Sequence, residues 1–270
     1  MAITTADGYY AAARQRLALS KTGTVTTVAA QPFSLWGVAG NPGAGTLAVG
    51  NTTAGVLFDD TTAGAPLLTA FGSGNTGYLA QASMRSNVAT GVTLYDRIWG
   101  AGAVNLNSLA TTNFSGQPSI TGRLPGGNQY AGLEIWIEIT TTVSATATTV
   151  SVGYTNEAGT SGRTTGASAS LSGLTTPRII RMPLQAGDKG VQRIDSVTVG
   201  GTVATAGAFN VLLVRPLAEF DVRANNGADI QGWDVLGGPI VFDTSCLALA
   251  CSADSTTSPV CSLGATIING

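Results

Sequence analysis

"LEIWIEITTTVSATATTVSVGYTN", residues 133–156, decides how this chain folds. Its first half alternates without a slip. Leu133, Ile135, Ile137 and Ile139 fall on one side, and Glu134, Trp136 and Glu138 on the other. A β-strand sends successive side chains to opposite faces, so this is a strand with one face for a core. "TTVSVGYTN" then repeats the pattern as a second strand, after a small, polar connection.

Working outward, the same signal recurs from about residue 76. "YLAQASMRS", "TGVTLYDRIWGAG", "RIIRMPL", "RIDSVTVGG" and "FNVLLVRPL" are separated by Gly, Pro, Asn and Asp clusters. Strands at this spacing, with no helices between them, predict a mainly β fold of the β-sandwich or jelly-roll type. Residues 76–220 form the expected core domain. Residues 1–75 are expected to be a short helix followed by an extended arm. In the helix, Thr5 or Asp7 caps "GYYAAARQRLAL", with Tyr10, Ala13 and Leu17 on one face. "NPGAGTLAVGNTTAGVLFDDTTAGAPLL" is too long for an ordinary loop and suits an arm laid over a partner. Residues 221–270 are expected to add a C-terminal hairpin, "SCLALACSADSTTSPVCSLGATII", packed on the core.

Composition narrows function. Charged residues make up 10% of the 270, where soluble domains carry about 25%. There are two lysines, Lys21 and Lys189, and no histidine. A Ser-His-Asp triad, a Cys-His pair and His-ligated zinc are therefore impossible. Thirteen basic against 15 acidic residues leave no electrostatic footprint for nucleic acid. No apolar run is long enough for a membrane helix. A surface so poor in charge suits burial against other protein. The N-terminus lacks a secretory pattern, so synthesis in a reducing cytoplasm is expected. Cys246, Cys251 and Cys261 match no metal knuckle. They read as small buried hydrophobes, with a contact between Cys251 and Cys261 across the hairpin as the alternative.

Three motifs invite chemistry. Gly72, Gly74 and Gly77 spell G-x-G-x-x-G, with Asp96 downstream, but neither a preceding strand nor a following helix is expected, so no dinucleotide is implied. Glu134 and Glu138 flank Trp136 as glycosidase carboxylates would. On one strand their Cα atoms stand about 13 Å apart, which is too far for either hydrolytic geometry. They are read instead as partners of arginines on neighbouring strands. "LYDRIW" (94–99) places Tyr95, Arg97 and Trp99 on one face, an arrangement suited to a cation–π cluster or an interface. "GDKGVQRID", dense in charge, reads as a solvated turn. No catalytic residue, cofactor or metal site emerges, and the chain is not expected to be an enzyme. The candidate interface residues are Tyr9, Tyr10, Arg14, Arg97, Trp99 and Trp136. Trp136 is expected to be buried, under a loop or at a subunit contact.

Several segments taken together resemble a known group. They are "ADGYYAAARQR", "NPGAGTLA", "LYDRIW", "PGGNQYAGLEIWIE", "YTNEAGTSGRTTG", "PLQAGDKGVQRIDSV" and "FNVLLVRPL". The set is similar to structural proteins of tailed-bacteriophage virions, from the N-terminus to about Leu217. The resemblance implies a head decoration or cement role on the capsid exterior, as a homotrimer bound to the major capsid protein. It brings no catalytic or cofactor residues. A tail-tube, collar or head-fibre component is the alternative within the virion. A carbohydrate-binding module using Trp136 or Trp99 is the alternative outside that class.

Overall fold

Residues 3, 5–72 and 75–270 are described by a computed structural model of the chain. It is mainly β, with several antiparallel sheets and a short N-terminal helix, α1 (Ala6–Ala11). Thr5 caps α1 by accepting the N–H of Gly8 at 3.0 Å.

The central sheet runs in the order β11 (Ile179–Met182), β8 (Glu134–Thr141), β13 (Ala208–Val222), β6 (Thr90–Asn105), β16 (Leu247–Ala253) and β2 (Gln31–Ser34). β4 (Asn51–Leu57) also pairs with β6. The sheet curls until its two edges meet. Phe33 bridges Arg178, and the N–H of Ser34 donates to the carbonyl of Pro177 at 2.9 Å.

Two smaller sheets cover the outside of this curl side by side. One holds β14 (Gly227–Gln231), β5 (Gly77–Ser86), β17 (Cys261–Asn269), β1 (Ala13–Lys21) and β3 (Gly40–Asn41), with β15 (Ile240–Val241) also on β5. The other holds β10 (Arg163–Thr164), β9 (Thr148–Asn156), β12 (Val191–Gly201) and β7 (Thr111–Asn113).

β6 and β13, with 16 and 15 residues, are long enough to serve both. Val92, Leu94, Phe220 and Val222 meet the first small sheet through Leu17, Leu79, Met84 and Leu263. Farther along, Ile98, Ala101, Phe209 and Val211 meet the second through Val150, Val152, Val197 and Val199. The inside of the curl holds a third core of Tyr95, Trp136, Leu212 and Val214. Bulges let the long strands bend between these partners. One lies beside Pro216, which as a residue without an N–H suits a break in the ladder.

Three expectations are corrected here. The helix stops at Ala11, and "ARQRLALSK" is strand β1. A helix this short gains little by lengthening, whereas β1 pairs with β17 along all nine residues and buries Leu17 and Leu19. The C-terminal segment is not a hairpin. β16 joins the central sheet and β17 the first small sheet, so the turn carries the chain from one layer to the other. Cys251 and Cys261 thus face one core from opposite sheets, and all three cysteines are buried and free. Burial raises all three thiols, Cys261 to about 11.

The long Gly-rich segment is not held out toward a partner. It folds over its own central sheet. Gly45 lies against the ring of Trp36 and Gly55 against that of Trp99, where any side chain would collide. Gly55 also has a φ of 67°, which a glycine adopts without strain.

Candidate interaction surface

The six candidate interface residues divide into two groups. Arg97, Trp99 and Trp136 are buried within the chain, so none can meet a neighbouring molecule. Tyr9, Tyr10 and Arg14 lie on the surface together.

Inside the curl, Arg97 donates to both oxygens of Glu138, at 3.1 and 2.9 Å, with both side chains fully buried. β13 lies between their strands, and its Asn210 completes the link by donating to Glu138 Oε2 at 3.0 Å. The guanidinium also lies against two rings that meet edge-on, 5.0 Å from that of Trp36 and 4.5 Å from that of Phe58. The cation–π partners therefore come from the covering segment rather than from Tyr95 and Trp99. Burial works against the Arg97 charge, but Glu138 and Tyr95 together outweigh it and Arg97 stands above its ordinary range. Tyr95 beside it is pushed up to about 12, chiefly by desolvation.

Trp99 left the expected face because β6 bulges at Ile98. Its Nε1 donates to the carbonyl of Ala54 at 3.1 Å, and its ring meets Phe114 edge-on. Trp136 is buried as expected. It donates to Glu134 at 2.7 Å and packs between Tyr95 and Arg181. Both glutamates of the opening strand are thereby committed to structural partners. A sugar platform at Trp99 or Trp136 is closed off, and Trp36 is buried too.

Asp96, the next residue along β6, points to the opposite face. It accepts from Arg123, from Arg215 at 3.4 Å, from Ser245 Oγ at 3.0 Å and from the N–H of Cys246 at 2.9 Å. Its burial rules out a ribose contact. Of the glycine motif, Gly74 lies outside the described residues, and Gly77 opens strand β5 where a cofactor fold needs a helix. Arg215 is lowered from its ordinary range, first by burial, with Asp96 opposing.

The charged turn is also less solvated than expected. Asp188 takes a bidentate bond from Arg163 at 2.9 and 2.8 Å, and further bonds from Tyr154 and Asn156. Arg163 above all holds its carboxyl well below the usual range. The turn is thus tied to β9 and β10.

On the surface, Tyr9 meets Tyr10 and Trp233 edge-on at 5.6 and 5.7 Å, and Arg14 lies 5.5 Å from the Tyr9 ring. Trp233 opens α2 (Trp233–Leu236) and reaches Tyr78 at 5.9 Å. Sequence reading missed Tyr78 and Trp233, because nothing local to either segment says that they meet. Ile230 and Val235, 64% and 67% exposed, lie on the neighbouring elements β14 and α2. The cluster borders the outer face of the first small sheet. That face carries Arg14 and Arg16 of β1 and Arg85 of β5 among small residues such as Ala18, Ser83, Ser262 and Gly264.

The surface also carries open grooves. One of 340 Å³ lies over the second small sheet, lined by Gln117, Tyr130, Thr155, Gln192 and Arg193. One of 170 Å³ lies at the mouth of the curl, with Thr93, Arg181 and Glu219 at its rim. Among the described residues no group of His, Cys, Asp and Glu could hold a metal ion, and no helix is long and apolar enough to cross a membrane.

No protein-family model matches the chain, and no curated protein matches its sequence. Among solved structures, the VP2 subviral particle of infectious bursal disease virus aligns over 95% of this chain and 81% of its own, at 9% identity and a TM-score of 0.20. An arabinose-bound α-L-arabinofuranosidase, MgGH51, aligns over 78% of this chain and 33% of its own, at 14% identity and a TM-score of 0.19. A virus particle activated at acidic pH, KBV, aligns over 95% and 69%, at 9% identity and a TM-score of 0.16. Likenesses this faint carry no argument about function.

Proposed function

We propose that this chain is a structural subunit of a tailed-phage virion, one that decorates and stabilises the capsid from outside. The observation that carries the reading is where its scarce charge goes. Of 13 basic and 15 acidic residues, Lys21, Asp60, Asp96, Arg97, Arg123, Glu138 and Arg215 are buried. The charge left for the surface of a 27.1 kDa protein is thin. A freely diffusing protein of this size uses surface charge to stay apart from its copies. A subunit that spends its life against neighbours does not need it. The seven segments that resemble virion proteins support the same reading.

The mechanism is thermodynamic. A protein that binds an assembled shell, and not its separated subunits, stabilises the shell by mass action. Many weak contacts at fixed geometry add up through avidity. Self-association as a trimer would multiply the contacts each binding event makes.

The test is reconstitution. Shells stripped of this protein should take it back at fixed stoichiometry and then resist heat better. Binding to tails but not to shells would move the protein to a tail, collar or fibre role.

A further inference from the structure

β1 has one partnered edge and one open edge. β17 pairs with it along all nine residues, but β3 reaches only Ser20 and Lys21. Beyond that corner, Thr22 donates its N–H to Ala39 on the β3 side. The strand period of two therefore turns the N–H and C=O groups of Arg14, Arg16 and Ala18 toward the open side. Among the described residues no backbone group of 13–19 bonds to anything on that side. An unpaired row of this kind is a template for another strand.

The side chains say which strand. On the outer face, Arg14 and Arg16 stand exposed two residues apart, with Arg85 on β5 farther across the same face. No acidic residue lies on β1, or on the neighbouring β17. On the inner face, Ala13 and Gln15 border a recess of 190 Å³ floored by Phe71 and Ile267, beyond which Leu17 and Leu19 enter the core. A second copy of β1 is a poor fit. Antiparallel pairing about Arg16 would set arginine against arginine, and like charges directly opposite destabilise a ladder.

We infer that the open edge of β1 binds an extended segment of a different polypeptide by strand addition, with acidic side chains alternating with apolar ones. The acidic set pairs with Arg14 and Arg16, and an apolar side chain fills the recess by Phe71. The backbone supplies affinity and the two faces supply selectivity. The inference stands on the edge itself and holds whether or not the protein belongs to a virion.

A soluble, fluorescently labelled peptide of alternating Glu and Val is the probe, with a Lys–Val peptide as control. Amide exchange of the full chain, followed by NMR, reads the site. The Glu–Val peptide should slow exchange at Arg14, Arg16 and Ala18 at least tenfold, and the Lys–Val peptide should not. The R14E/R16E double variant should lose affinity for Glu–Val at least tenfold and gain affinity for Lys–Val. Arg85→Glu, on the same face but away from the edge, should stay within about twofold, since exposed charges at a distance are screened. If the arginines only keep copies apart, neither peptide protects these amides, and the inference fails. It fails equally if both peptides bind alike, or if the protein alone protects the edge as its concentration rises.

Discussion

Asp96 and Arg97 are neighbours in sequence and face opposite ways, and each buries a charge. They do so differently. Arg97 has one dedicated carboxylate in Glu138, held two-pronged, with Asn210 and two aromatic faces closing the site. Asp96 is a single carboxylate shared by Arg123 and Arg215, with Ser245 and a backbone N–H on its remaining lone pairs. The first is balanced one to one. The second carries an excess of positive charge; among the described residues Nε and Nη1 of Arg215 and Nε of Arg123 have no partner, against Nε alone of Arg97. One fastens the covering segment 36–58 onto the curl. The other holds the 240–246 segment and Arg123 to the back of the same strand, and Arg123 in turn donates to the carbonyl of Phe58 at the end of the covering segment. A shared acceptor makes a hub, and losing it costs more than losing one end of a pair.

That difference orders the expected effects. Asp96→Ala should be the most damaging, because it leaves two buried guanidiniums without a carboxylate. Removing one partner of a buried pair costs about 3–5 kcal/mol, and this variant should reach or exceed the top of that range in urea denaturation. A smaller loss than that of Glu138→Ala would break the comparison. Glu138→Ala should itself cost about 3–5 kcal/mol. The double variant Arg97→Met/Glu138→Leu should recover most of it, since an apolar replacement of a balanced pair is often neutral. Asp96 allows no such rescue by one compensating change, because two cations depend on it.

Trp136→Phe comes next, at about 1–2 kcal/mol, from the lost bond to Glu134 and the smaller ring. At the low end, Arg223→Ala with Asp221→Ala should cost less than about 1 kcal/mol in the same denaturation, because both ends of that pair are exposed. The thiols offer a check without mutation. Raised and buried, all three should resist a thiol reagent at pH 8 until the protein unfolds.

Much of the fold could be read from the chain because its strands alternate cleanly. "LEIWIEI" is β8, and the strands expected over 76–220 all form. What escaped reading depends on single residues or on distance. The bulge at Ile98 leaves no mark in "LYDRIWG", yet it sends Trp99 to the face opposite Arg97. In "YYAAARQRLAL" the helical set Tyr10, Ala13, Leu17 overlaps the alternating pair Leu17, Leu19, and only the distant β17 decides between them. The last two strands look like a hairpin because a turn joins them, whereas their partners lie about 150 residues or more upstream in different sheets. For the same reason half of the expected interface proved to be interior. An arginine between aromatics suits a buried cation–π site as well as an exposed one, and sequence does not say what lies above it. Tyr9 and Tyr10 stayed at the surface because the short helix that carries them has little to pack against beyond Trp233, and Arg14 because it lies on the outer face of β1.

An image reconstruction of a particle containing this chain tests the central claim most directly. The account predicts copies at fixed symmetry positions on the shell exterior. Arg97, Trp99 and Trp136 would be enclosed within each copy, and neighbouring protein would cover Tyr9, Tyr10 and Arg14. Particles lacking the chain, or copies whose aromatic cluster and β1 edge face bare solvent, would contradict it.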